Sequence, residues 1–151
     1  MHQRRDALGP NGIYLGLVAG LLGTAILVLT EIPVWLRWGI DGVPEWQMNQ
    51  ALTARLLNRN QESLVIKGQL LHFLSGGVLG ILFAYAAPLV PWNLGNTSLG
   101  LAYGLVLWAI SLVILKPITG RGVKDTPLGI TRFLGSLVGH LIHGAILGLI
   151  I

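Results

Sequence analysis

The stretch Gly68–Leu115, GQLLHFLSGGVLGILFAYAAPLVPWNLGNTSLGLAYGLVLWAISLVIL, runs for 48 residues without one Asp, Glu, Lys or Arg. As a single helix at about 1.5 Å per residue it would reach roughly 70 Å, about twice the ~30 Å hydrocarbon core of a bilayer. It therefore reads as two membrane crossings and a turn. Pro88, Pro91, Asn93, Gly95 and Asn96 supply the turn, and Trp92 is placed for the headgroup region. The only titratable side chain of consequence in the run is His72. A buried imidazole is expensive in lipid, so it needs a physical reason.

Working outward, the sequence predicts four spans, at 13–30, 64–87, 99–115 and 128–151, in one transmembrane domain. The expected fold is an all-α four-helix membrane bundle. The chain of 151 residues is 53% hydrophobic and 11% charged, against about 25% charged in soluble domains, which excludes an ordinary soluble protein. With no cysteine, disulfides, iron–sulfur clusters and thiolate metal sites are excluded. The net charge of +4 does not point to nucleic acid, because the basic residues flank apolar spans, where headgroups and topology account for them. The first span follows Arg4 and Arg5 but is too long for a signal peptide and lacks a small-x-small cleavage site before Glu31, so it is expected to be retained. Arg37, Arg55, Arg59, Lys67, Lys116, Arg121, Lys124 and Arg132 lie on one side. The positive-inside rule then puts loops 31–63 and 116–127 in the cytoplasm and both termini outside.

Residues 34–60 differ in kind, mixing Trp35, Trp38 and Trp46 with Arg37, Asp41, Glu45, Arg55 and Arg59. Val43-Pro44-Glu45 has the form of a helix start, with proline in the first turn and an acid at the positive end of the dipole. Trp46, Ala51, Leu52, Arg55 and Leu56 then share one side of a short amphipathic helix, expected to lie on the membrane surface as a tryptophan-anchored connector.

An internal repeat is visible. His72-Phe-Leu-Ser-Gly76-Gly-Val-Leu-Gly80 aligns with His140-Leu-Ile-His-Gly144-Ala-Ile-Leu-Gly148 at an offset of 68. A weaker echo joins Gly12–Val18 to Gly100–Val106 at an offset of 88. Spans one and three, and two and four, would then be related by an axis along the membrane normal, with His72 and His140 at one depth. Small residues recur every fourth position: Gly12, Gly16, Gly20 and Thr24; Gly68, Gly76, Gly80 and Ala84; Gly100 and Gly104; Ser136, Gly144 and Gly148. Such stripes let helix backbones approach closely. Helix packing is the expected role of Gly16, Gly20, Gly76, Gly80, Gly104, Gly144 and Gly148.

His72, His140 and His143, with Glu31, are the candidates for chemistry, and three readings compete. In the first, neutral imidazoles act as hydrogen-bonding glue between helices. In the second, His72 and His140 are axial ligands of a b-type haem, Gly76 and Gly144 leave room for the macrocycle, and Lys67 and Arg132 meet the propionates. In the third, Glu31 and the histidines form a proton relay or a zinc site. A Ser–His–Asp triad and a phosphate-cradling glycine loop are absent, since these glycines sit inside spans with no strand before them.

Four features carry a resemblance: Gly16-Leu-Val-Ala-Gly-Leu-Leu-Gly-Thr24, His72…Gly76…Gly80, Tyr103-Gly104…Trp108…Pro117 and Gly139-His140…Gly144…Gly148. In these the chain resembles the uncharacterised small four-span proteins of the bacterial inner membrane. The resemblance implies that location and assigns no activity. The expected role is a structural or accessory subunit, not an enzyme, in contact with lipid and packing as a homo-oligomer or in a larger complex. The alternative is a haem, proton or metal-handling subunit using His72 and His140.

Overall fold

A computed structural model describes residues 10–90, 95–115, 117 and 129–151. It is all-helical. The main helices are α1 (Pro10–Trp38), α2 (Pro44–Leu57), α3 (Val65–Ala86), α4 (Asn96–Ile110) and α5 (Gly129–Ile150). Single turns occupy Gly39–Gly42, Gln61–Leu64 and Ala87–Leu89, and a π-helical turn, Ser111–Leu115, follows α4. Among the described residues four helices are long and apolar enough to cross a membrane, which suggests a multi-pass membrane protein. Their outer faces carry large apolar side chains such as Ile66, 78% exposed, and Leu149, 72% exposed. An apolar surface this extensive suits lipid and not water.

The helices neighbour one another in antiparallel fashion, with α1 between α3 and α5, and α4 against α5. Two contacts hold the pairs at backbone distance. Gly16 and Gly20 of α1 lie on Gly80 and Gly76 of α3, and Gly100 and Gly104 of α4 lie on Gly144 and His140 of α5. A methyl group added at Gly16, Gly20, Gly80, Gly100, Gly104 or Gly144 would fall against a neighbouring backbone, and one at Gly76 onto the Thr24 hydroxyl, so glycine is required by the approach itself. Gly20 meets Gly76 as Gly100 meets Gly144, and Gly80 meets Gly16 as Gly148 meets Asn96. In these contacts Gly20 corresponds to Gly100 and Gly16 to Asn96, 80 residues apart, whereas the sequence echo between the two helices has an offset of 88. Beside these contacts Ala19, Phe83, Leu99 and Leu147 form the core of one end of the bundle. Tyr103 donates from its hydroxyl to the Leu79 carbonyl at 2.9 Å, tying α4 to α3.

The other end is built differently, and it departs from expectation. α1 continues past Thr30 and through Pro33 to Trp38, 29 residues in all, and stops where Gly39 takes φ +64. That left-handed conformation is what a helix C-terminus favours in glycine. The chain then turns back, with Gly42 packed under Val34 and Trp38. α2 does not lie along a surface. Its residues Glu45–Ala51 are all buried, and it runs antiparallel to α3, with Gly68 against Asn49 and Gln50. Its N-terminus points into the bundle, and its exposed C-terminus ends on Asn58 at φ 49. The physical reason is polar. Asn, Gln and Thr side chains on every face of this helix find partners inside the protein that an apolar acyl region would not provide.

Two substitutions on α5 are expected to have opposite signs. Gly144→Ala drives a methyl into the Gly100 carbonyl and should lower stability by roughly 1–3 kcal/mol. Gly135→Ala meets nothing within 4 Å and should raise it by about 1 kcal/mol. Thermal unfolding midpoints of the detergent-solubilised variants check both.

Candidate functional site

The polar residues of α2 are matched one by one. Trp46 Nε1 donates to Glu31 Oε2 at 2.7 Å. Gln47 donates to Asp41 and accepts from Arg132 Nη2 at 2.8 Å. Gln50 Nε2 donates to the Gln61 carbonyl at 2.7 Å, and Thr53 Oγ1 to the Asn49 carbonyl at 2.7 Å. Ser136 Oγ of α5 donates to Glu45 Oε1. Each such group left unpaired would cost about 1–3 kcal/mol, so the network is what allows a polar helix inside an apolar bundle.

Asn49 sets the state of His72. Its amide nitrogen donates to the Glu45 carbonyl at 2.8 Å and lies 3.1 Å from His72 Nδ1. An NH₂ group only donates, so Nδ1 of His72 accepts, and in the neutral ring the proton resides on Nε2. His140 has the opposite arrangement. Its Nδ1 is 2.8 Å from the Ser136 carbonyl, which only accepts, so that nitrogen carries the proton and Nε2 the lone pair. The same Nδ1 stands 4.0 Å from Glu45 Oε1. His143 is 6% exposed and packs its Nδ1 edge on Gly23 of α1.

These groups surround a cavity of about 360 Å³ between α2, α3, α4 and α5. His72, His140, His143, Glu45 and Asn49 line it together with Thr24 of α1. The three histidines singled out in the sequence are therefore brought to one place. Glu31 is not. It lines a second cavity of about 680 Å³ together with Arg37, Trp38, Arg132 and Ser136. Glu45 belongs to both cavities and takes the position at the histidines that Glu31 was expected to fill.

Sequence reasoning treated Glu45 only as a helix-start acid and passed over Asn49. The available signal was the density of Glu45, Gln47, Asn49, Gln50 and Thr53 on one helix of a chain otherwise so poor in polar groups. Among the described residues no group of three or more His, Cys, Asp or Glu is placed to hold a metal ion. The chain matches no protein family, no curated protein and no solved structure.

The hydrogen bonds fix a spectroscopic expectation. In ¹⁵N NMR of the protein in lipid, neutral His72 should show the Nε2–H tautomer and neutral His140 the Nδ1–H tautomer. Asn49→Leu should release His72 into a mixture of tautomers and leave His140 unchanged. Both histidines in the same tautomer would contradict the assigned bonding.

Proposed function

We propose that this chain is a multi-pass protein of the bacterial inner membrane that takes up and releases protons at an intramembrane carboxylate–imidazole pair, Glu45 and His140. One observation carries the reading. The Glu45 carboxylate is buried inside the bundle, held by Ser136 and 4.0 Å from His140 Nδ1. Ionisable groups at such positions in membrane proteins are functional by default, because a purely structural contact would cost less with neutral side chains.

The pair can relay a proton between the two cavities. His140 accepts a proton at Nε2 from the first cavity and becomes an imidazolium. It then gives up the proton on Nδ1 to Glu45, which faces the second cavity, and is left neutral. Closing 4.0 Å to hydrogen-bond distance requires about 1 Å of side-chain movement. The second cavity is lined by Arg37 and Trp38 near the end of α1. Arg37, Arg55, Arg59 and Lys67 gather at that end, where α1 and α2 finish and α3 begins, so the positive-inside rule assigns it to the cytoplasm and the termini to the outside. The matching glycine contacts of α1–α3 and α4–α5 support a duplicated two-span origin, with His140 standing where His72 stands in the first pair.

The haem reading is disfavoured by packing. The space beside Gly76 is taken by Thr24, and that beside Gly144 by the Gly100 backbone, where a macrocycle would have to lie. Packing as a homo-oligomer or accessory subunit would use the outer leucine faces, since the glycine stripes are occupied within the chain.

Infrared difference spectra recorded across a pH jump, with the protein in lipid nanodiscs, test the reading. A carboxyl stretch is expected that disappears in Glu45→Gln, shifts in His140→Gln and persists in Glu31→Gln. Absence of any Glu45-dependent band over the range where the helical fold survives would overturn it.

A further inference from the structure

The first cavity is a slot with two unlike ends. Its walls are apolar, formed by Met48 and Leu52 of α2, Leu71 and Leu79 of α3, and Leu107 and Ile110 of α4. At its rim Leu56 is 74% exposed and Ile110 40% exposed, so the mouth opens sideways onto the apolar outer surface. At its inner end stand His72 and His143, and Nε2 of each is buried without a hydrogen-bond partner among the described residues. A buried polar atom left unpaired costs about 1–3 kcal/mol, and two of them on residues lining one cavity mark a place where a ligand can supply the missing partner.

The chemistry of that partner is restricted from three directions. The mouth faces acyl chains, so what enters is lipophilic. His72 Nε2–H, on a residue lining the cavity, is a donor, because Asn49 holds the other ring nitrogen as acceptor, so a head bonded to it must accept. The Glu45 carboxylate borders the same cavity and repels a second anion, so the head is neutral. We infer that the cavity binds a neutral, carbonyl-headed lipophile, of which a quinone is the representative, entering from the membrane and accepting a hydrogen bond from His72 Nε2–H. His143 is placed to meet a second polar atom of the same head. The inference shares the cavity with the proton-relay reading but does not require it. A bound quinone leaves the Glu45–His140 pair in place, and a failed relay leaves the slot open.

The experiment uses the full chain in nanodiscs and three probes of similar tail length: decylubiquinone, decanoate and decane. Decylubiquinone is expected to raise the unfolding midpoint and to shift the ¹⁵N resonance of His72 Nε2. His72→Phe should weaken its binding roughly tenfold, the cost of one lost hydrogen bond of about 1.4 kcal/mol. Glu45→Gln should leave decylubiquinone binding intact while removing the infrared carboxyl band, which separates the two readings. Leu107→Trp, which fills the slot without touching a polar group, should abolish binding with the helical spectrum unchanged. Equal stabilisation by decane would show filling of an apolar gap and overturn the inference. So would tighter binding of decanoate than of the quinone, or quinone binding unaffected by both His72→Phe and Leu107→Trp.

Discussion

Everything in this bundle follows from how closely two backbones can approach where no side chain intervenes. Between apolar helices in lipid there is no hydrophobic drive, and attraction must come from dispersion and weak carbonyl contacts at short range. Gly16, Gly20, Gly76 and Gly80 provide that approach for α1 and α3, and Gly100, Gly104, Gly144 and Gly148 for α4 and α5. Both contacts lie toward the end that also holds Phe83, Leu99 and Leu147. Closing that end so tightly leaves the opposite end free to accept α2, and the accepted helix creates the polar cavities. The candidate site is thus a by-product of packing one end of a bundle more tightly than the other.

The sequence makes the parts in lipid legible and misses the part that escapes it. Four apolar runs, a turn at Pro88 and a helix start at Pro44 are all visible, because length and hydropathy decide them locally. His72 and His140 both line the first cavity, and their matching sequence surroundings place them at a common depth in the expectation. The fate of α2 is not visible. Its tryptophans and arginines argue for an interface, while its Asn and Gln find partners only in residues far along the chain. Ser136 lies 91 residues from Glu45, and Arg132 85 residues from Gln47. No local pattern announces a bond across that distance. The same limit explains Glu31, which was expected beside the histidines but is held by Trp46 and lines the second cavity instead. The echo between α1 and α4 likewise sits about two helical turns from the match seen in the packing, because glycine is abundant enough to align in either register.

Glu45 and Asn49 show how one short helix can organise several titratable groups at once. Asn49 fixes the His72 ring through its amide and at the same time satisfies the Glu45 carbonyl. Ser136 serves Glu45 through its hydroxyl and His140 through its carbonyl. Two neutral residues therefore set the protonation geometry of one carboxylate and two imidazoles.

The long sequence separations across α2 also dictate an order of assembly. Residues 44–57 leave the ribosome well before Arg132 and Ser136 exist, and this helix is too polar to partition into the bilayer alone. Its close backbone packing on α3, with Gly68 against Asn49 and Gln50, involves only segments made early, whereas its bonds to Arg132 and Ser136 require α5. The polar network of this early helix is therefore complete only once the last helix of the chain has been made.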